Sequence, residues 1–491
     1  MQTPIELIEQ LNQSLTKSLR NIPRYKALYE ALRQQILNGM LLPAMQLPSS
    51  RTLSQQLNLS RNTVITAIDQ LCAEGYAITR PKSGVMILPS PQKIWHIKKP
   101  PITRFKFNLS ARGKKTAILA KTQLMRGAFA PGIPDLKKFP FELWQRYVSR
   151  YTRNPKLHWL SNTNNGGEYE LRQTLVNYLR INRGISCNAD QILITHGTQH
   201  SLRLVSHLLT DHGDSVWIED PGFPGARCAF EAAGLNIIDQ PVDNEGLSPK
   251  KNAWQKPPRL IYITPSHQYP TGALMSAARR HQLLSSALKH RTCILEDDYD
   301  SEFRYEGAPI AALHALSPQQ VIYLGTFSKT FFPALRIGYM VLPEHLIDAF
   351  RTTQARHDRE PSYIIQKALA DFIGDGHANA YIRKMRREYK ERRNILSELL
   401  QSQLNGLTSL VGLDTGLHLV AYLPANLNDQ EILSAADQLG IKMGAMTNYT
   451  HTPSFNKSAL ILGFGNADQQ DISKAGKLLC QLIMQFNNNS C

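Results

Sequence analysis

Several common signatures are missing from this chain. Its 491 residues include only six cysteines, Cys72, Cys187, Cys228, Cys293, Cys480 and Cys491, with no CxxC pair and no metal-ligand spacing. That argues against a disulfide framework or a zinc site and fits a reducing cytosol. Long apolar runs are absent too. No stretch of about 18 uncharged apolar residues occurs, and the opening MQTPIELIEQLNQSLTKSLR has no signal-peptide core, so a soluble cytoplasmic protein is expected. There are no internal repeats, and the short Asn-rich end NNNSC is the one biased segment. Acidic residues are scarce: 39 Asp+Glu stand against 56 Lys+Arg, a formal +17. The first 110 residues carry fourteen Lys or Arg against five Asp or Glu, so the imbalance is concentrated there. A polyanion, with nucleic acid first, is the expected partner. The length implies at least two folded units, because single cores seldom grow past about 250 to 300 residues.

What is present begins with three helical patterns and a hairpin over residues 24 to 88. YKALYEALRQQILNG places Leu28, Leu32, Ile36 and Leu37 on one face and stops at Gly39. SRTLSQQLNLS gives a short helix with Leu53 and Leu57 inward. After a turn at Asn58 to Ser60, RNTVITAIDQLCAEG gives a third, with Val64, Ile68 and Leu71 on its apolar face. YAITRPKSGVMIL then alternates as strand, turn and strand around Lys82, Ser83 and Gly84. Such an order is a helix-turn-helix with a wing. Ser60, Arg61, Asn62 and Thr63 open the third helix, where amides and short polar side chains meet phosphates and base edges. Arg51 starts the preceding helix, Arg80 and Lys82 arm the wing, and Gly84 closes its turn. Composition by itself fits a helical cap with a solvated basic face equally well; the ordered series of turns and helices favours DNA.

LPSSRTLSQQLNLSRNTVITAIDQLCAEGYAITRPKSGVMI resembles the winged helix-turn-helix of GntR-type transcription regulators, with PKSGVM in place of the family's common R-x-G-S-G-T-F/Y wing. The resemblance implies a DNA-binding domain over residues 1–88. Residues 89–110, PSPQKIWHIKKPPITRFKFNLS, have four prolines and no period, and read as a linker.

From residue 111 to 491, QILIT, DSVWIE, RLIYIT, TCILEDD and VIYLGTF are short β-branched runs separated by helix-length segments. This is the pattern of an α/β domain with a mainly parallel sheet, whose ligands gather at the carboxyl ends of the strands. Gly197, Thr198 and Gln199 follow the first run, and a glycine turn feeding a helix can hold phosphate. An ordinary strand-to-helix turn is an equal reading of that segment. Asp297, Asp298, Tyr299 and Asp300 end another run. After VIYLG stand Thr326, Ser328, Lys329 and Arg336. By itself Lys329 would pass for a surface lysine. A phosphate cradle, a carboxylate, a phenol and a lysine together suit pyridoxal 5′-phosphate (PLP): the lysine forms an imine with its aldehyde, the carboxylate pairs with its ring nitrogen, and the arginine grips its phosphate.

FAPGIPDLKKFPFELWQR, ITHGTQ, EDPGFPGAR, TPSHQYPTG, LEDDYDSEF and GTFSKTFFPALRIGY occur in the order found in fold-type I aminotransferases, more closely in the MocR/GabR-type regulators that fuse such a domain to a GntR-type head. This resemblance implies a two-part fold: a winged helix-turn-helix followed by an α/β aminotransferase-like domain. It makes Lys329 the Schiff-base lysine, Asp297 the partner of the ring nitrogen and Tyr299 a donor to the cofactor's phenolic oxygen. Arg336, Thr326, Ser328, Thr198 and Gln199 would hold the phosphate, and Phe223 would stack on the ring. Two positions depart from the aminotransferase pattern. Tyr269 stands where an asparagine usually precedes PTG, after His267 and Gln268. Ile461 stands where the carboxylate-gripping arginine is expected, with Arg227 as a candidate substitute. The reading adopted is a homodimeric regulator that binds a DNA operator and senses PLP itself or a small amine or amino acid, without sustained transamination. The alternatives are a working aminotransferase with an appended DNA-binding head, and a head carried on a dimer scaffold.

Overall fold

The structure is a computed structural model that describes residues 4–18, 22–80, 84–89, 107–119, 127–161, 166–452, 455 and 457–489. The chain divides into two compact units, Met1–Asn108 and Leu109–Cys491. Most of the expected linker, residues 90–106, and Lys82 in the wing turn lie outside the described residues.

In the first unit four helices, α1 (Pro4–Ser18), α2 (Arg24–Leu37), α3 (Ser50–Gln56) and α4 (Arg61–Ala73), precede a hairpin of β1 (Ala77–Arg80) and β2 (Gly84–Ile87). Leu28, Leu32 and Ile36 of α2, Leu53 and Leu57 at α3, and Val64, Ile68 and Leu71 of α4 form one buried core, as their spacing predicts; Leu37 is half-buried against it. Helix α1 is an addition to the sequence reading. Its Leu7, Ile8, Leu11 and Leu15 recur at helical spacing and close the same core. The wing pairs Ala77 with Ile87 and Arg80 with Gly84 in antiparallel register. The Ala44–Leu47 segment lies along β2, with Ala44 N donating to Ile87 O at 2.9 Å and Leu47 N to Val85 O at 2.9 Å. The wing is therefore backed by a third extended segment.

The second unit is built on an eight-stranded sheet of order β3-β10-β9-β8-β7-β4-β5-β6, with β3 Ile192–Thr195, β4 Ser215–Asp220, β5 Asn236–Asp243, β6 Gly246–Leu247, β7 Leu260–Ile263, β8 Cys293–Asp298, β9 Val321–Thr326 and β10 Gly338–Val341. Pairing from β5 through β4, β7 and β8 to β9 is parallel. Strand β10 runs against both β9 and β3, so β3 points the same way as β9. Alternation along the strands feeds two cores: Ile192, Ile194, Tyr323 and Tyr339 face one side, and Leu193, Ile322, Leu324 and Met340 the other. The carboxyl ends of β3, β9, β8, β7 and β4 thus lie along one edge, where β10 begins.

A smaller antiparallel sheet of order β11-β12-β14-β13 follows, with β11 Ser409–Val411, β12 His418–Tyr422, β13 Gly444–Ala445 and β14 Ala459–Gly463. The long helices His377–Leu404 and Gln469–Asn489 accompany it. The segment around Phe129 bridges to Gly463 of β14, bringing Pro131 and Gly132 to the large sheet's carboxyl edge. Among the described residues, no helix is long and apolar enough to cross a membrane.

Candidate cofactor pocket and nucleic-acid interface

At that edge lies a cavity of about 240 Å³. Thr198, Gln199, Phe223, Asp297, Tyr299, Thr326, Ser328, Lys329 and Arg336 all line it, so the nine cofactor-site candidates converge although they span 139 residues of sequence. Their convergence follows from strand order. Asp297 ends β8 and Thr326 ends the neighbouring β9, while Gly197 turns out of β3 with φ +95° to start the helix Thr198–Leu209. That turn passes close to β10: a Cβ on Gly338 would stand 2.7 Å from Gly197 Cα, so glycine is required there.

The carboxylates after CILE separate by direction. Asp298 is turned away, paired with Arg183 at 2.6 Å and accepting from Tyr323 Oη at 2.6 Å. Asp300 faces His267 Nδ1 at 3.0 Å. Asp297 alone of the three lines the cavity. Tyr262 Oη donates to its Oδ2 at 2.6 Å, while its Oδ1 is buried without a partner. Burial raises this carboxyl to about 7. An N–H or a cation in the cavity would satisfy the orphaned oxygen, which is what a pyridinium nitrogen offers.

Lys329 Nζ donates to Gly132 O at 2.8 Å. Burial lowers its pKa, opposed by the charges of Asp300 and Asp297, which favours the neutral amine that attacks a carbonyl. Thr326 is buried, and its Oγ1 accepts from Ser328 N at 3.2 Å. Arg336 follows a single 3₁₀ turn in left-handed backbone, φ +52°, and its exposed side chain lies between the cavity and an adjoining cleft of about 680 Å³. Phe223 caps the helix Pro224–Ala233 and meets Tyr269 edge-on, with ring centroids 5.9 Å apart. The donor set and the orphaned Asp297 oxygen fit PLP.

Both departures have structural consequences. Ile461 is fully buried in an apolar cluster with Val420, Met446, Tyr449 and Ala459. Arg227 does not replace the expected arginine: it is ion-paired with Asp239 and does not line the cavity. The cavity also includes Pro131, Gly132, Tyr262, Thr264 and Tyr269. Of these, Tyr262 carries no motif signal, because the neighbouring of β7 and β8 alone brings it to Asp297; Gly132 belongs to the FAPGIP motif, and the bridge of Phe129 to β14 brings it to Lys329.

In the winged unit, Arg51, Arg61, Asn62 and Arg80 are exposed. Gly84 opens β2 with φ +76°. Ser60 and Thr63 are engaged with each other: Ser60 Oγ accepts from Thr63 N at 3.1 Å and lies 2.8 Å from Thr63 Oγ1. Their first job is to cap α4, so Arg61 and Asn62 are the free polar side chains at its leading end. The same device, Ser49 accepting from Thr52 N at 3.1 Å, starts α3; the S-x-x-T spacing in SSRT and SRNT could have revealed both caps.

The model for class I and II aminotransferases matches residues 158–453, and that for the gntR family of bacterial regulatory proteins matches residues 24–87. The chain is 36% identical over 457 residues to the probable rhizopine catabolism regulatory protein MocR of Rhizobium meliloti, covering 91% of each. It is 31% identical over 445 residues to the pyridoxine biosynthesis transcriptional regulator PdxR of Corynebacterium glutamicum, covering 91% of this chain and 92% of that one. Among solved structures, an archaeal alanine:glyoxylate aminotransferase aligns with TM-score 0.68 and 26% identity over 77% of this chain and 96% of that one. The chain therefore belongs to the MocR-type transcription regulators, in which a GntR-type DNA-binding head is joined to an aminotransferase-like domain whose cofactor is pyridoxal 5′-phosphate.

Proposed function

We propose that this regulator senses occupancy of its PLP pocket and passes that state to the DNA-binding head, with PLP itself as the leading effector. One observation carries the reading. The lysine, carboxylate and arginine that a PLP site needs meet in one cavity, while the position of the substrate-carboxylate arginine holds Ile461, buried in an apolar cluster. Without that guanidinium an amino-acid substrate loses its bidentate anchor, whereas cofactor binding loses nothing. The relative named for pyridoxine biosynthesis control supports the same direction.

In this reading Lys329 holds the cofactor covalently and Asp297 takes the ring N–H on its free oxygen. Arg336, Thr326, Ser328, Thr198 and Gln199 hold the phosphate, and Phe223 covers the ring face. Bound there, PLP supplies an electrophilic carbon and an electron-withdrawing ring. Arg51, Arg61, Asn62, Arg80, Gly84 and Lys82 serve the DNA, with Ser60 and Thr63 fixing the start of α4.

A cytoplasmic homodimer completes the proposal. Large apolar side chains stand exposed on the second unit, with Leu157 at 86% and Leu160 at 60%, and a second copy would cover them. Two heads would then meet paired half-sites. The test is absorption of the full chain with PLP, followed by titration with amines and amino acids. A visible band that no amine disturbs supports PLP as the signal. Conversion of the band with release of a keto product would make the chain a working aminotransferase instead.

A further inference from the structure

Two buried side chains beside the cavity have no task in the account above. Tyr299 Oη lies 2.9 Å from the carbonyl oxygen of His267 and 3.1 Å from His267 Nδ1. The same Nδ1 stands 3.0 and 3.1 Å from the two oxygens of Asp300. A carbonyl or an ionised carboxylate only accepts, so the Nδ1 proton belongs to Asp300, and the phenol's single proton goes to the His267 carbonyl. His267 is 2% exposed and Asp300 1%. Their seat is tight: a Cβ on Gly416 would stand 2.0 Å from His267 Cε1 and 2.7 Å from an Asp300 oxygen, so only glycine admits the pair. Tyr299 lines the cavity, whereas His267 and Asp300 do not. Tyr269, at the usual asparagine position, has its hydroxyl 3.3 Å from that of Tyr449. Tyr299 is therefore left as the donor for the cofactor's phenolic oxygen; its ring meets Tyr269 edge-on, and the polar contacts of its hydroxyl come from His267.

We propose that His267 and Asp300 are positioning residues that hold the Tyr299 hydroxyl at the phenolic oxygen of the bound cofactor. This rests on the PLP reading above. Were the cofactor bound, the phenol would turn its proton from the His267 carbonyl to the cofactor oxygen, and the Nδ1–H that Asp300 orients, 3.1 Å from Tyr299 Oη, would be shared with the phenol oxygen and keep it in place. A hydrogen bond at that oxygen draws electron density from the lysine-bound nitrogen, which then loses its proton at lower pH. Loosening Tyr299 must raise that midpoint. Acting directly by its charge, Asp300 would do the reverse, since removing a nearby anion makes the nitrogen less basic. Lys329, Asp297, Arg336, Tyr262 and Tyr269 also face the cavity, and His418 packs against His267 in a tilted arrangement with ring centroids 4.8 Å apart. All of these stay constant across the variants.

The experiment is a pH titration of the visible band of the PLP-loaded full chain. Tyr299→Phe is expected to raise the midpoint by about half to one pH unit. Asp300→Asn should raise it in the same direction, and the double variant should match Tyr299→Phe alone. If Asp300→Asn fails to fold, His267→Gln carries the same comparison. A lowered midpoint, an undiminished shift in the Tyr299→Phe background, or loss of the band in a folded Asp300→Asn protein overturns the proposal. No band in the unaltered chain would instead overturn the PLP reading beneath it.

Discussion

Lys329 sits where a lysine is costly, and the surrounding groups give it a use. Replacing it by alanine removes the amine but little packing, so the second unit should fold while the visible band on adding PLP disappears; an unchanged band would place the attachment elsewhere. Asp297 makes a pH prediction. Its carboxyl is raised to about 7 in the folded chain by burial against about 3.9 unfolded, so the folded state binds the extra proton between those values. Stability of the cofactor-free protein should then fall as pH rises from about 4 to about 7. Glu219, also raised to about 7 by burial, adds to the same slope. Asp297→Asn should flatten it by on the order of 3 kcal/mol across the window, measured by denaturant unfolding at the two ends. A slope identical to that of the unaltered chain would contradict the buried-carboxyl assignment.

Helix α4 carries the prediction for DNA. Ser60→Ala removes the side-chain acceptor for Thr63 N and should cost the winged unit about 1 kcal/mol, read from its unfolding midpoint. Arg61→Ala leaves the cap intact and should weaken operator binding by about 1 to 3 kcal/mol if it reads a base, or reduce the salt slope by about 1 if it meets a phosphate; PLP absorption should not change. How far these elements were legible depended on the signal each carries. β9 and the first half of β8 were plain because both faces are buried there and VIYLG and CIL run apolar without alternation, while the carboxylates that end β8 mark the sheet's functional edge. Helices α2 to α4 declared themselves through spacing and punctuation. α1 is less plain in the sequence because Glu, Gln, Asn, Ser, Thr and Lys dilute its apolar residues, although Leu7, Ile8, Leu11 and Leu15 have helical spacing. Tyr262 could not be read for a role, because it sits inside the apolar run RLIYIT and only the neighbouring of β7 and β8 puts it beside Asp297; Gly132 stands in the motif FAPGIP, but its contact with Lys329 depends on the Phe129 bridge to β14.

For the molecule as a whole, sensing requires that PLP bind one arrangement of the DNA-binding heads better than another, since a ligand shifts an equilibrium only by its differential affinity. Reciprocity follows: if PLP changes affinity for DNA, DNA changes affinity for PLP by the same factor. The most direct measurement is the affinity and bend of an operator, selected from random-sequence DNA by the full chain, across a PLP titration followed by absorption in the same samples. The account predicts that DNA affinity or bend changes with the midpoint of the visible band and that Lys329→Ala abolishes the change. A band that saturates while affinity and bend stay constant would contradict it.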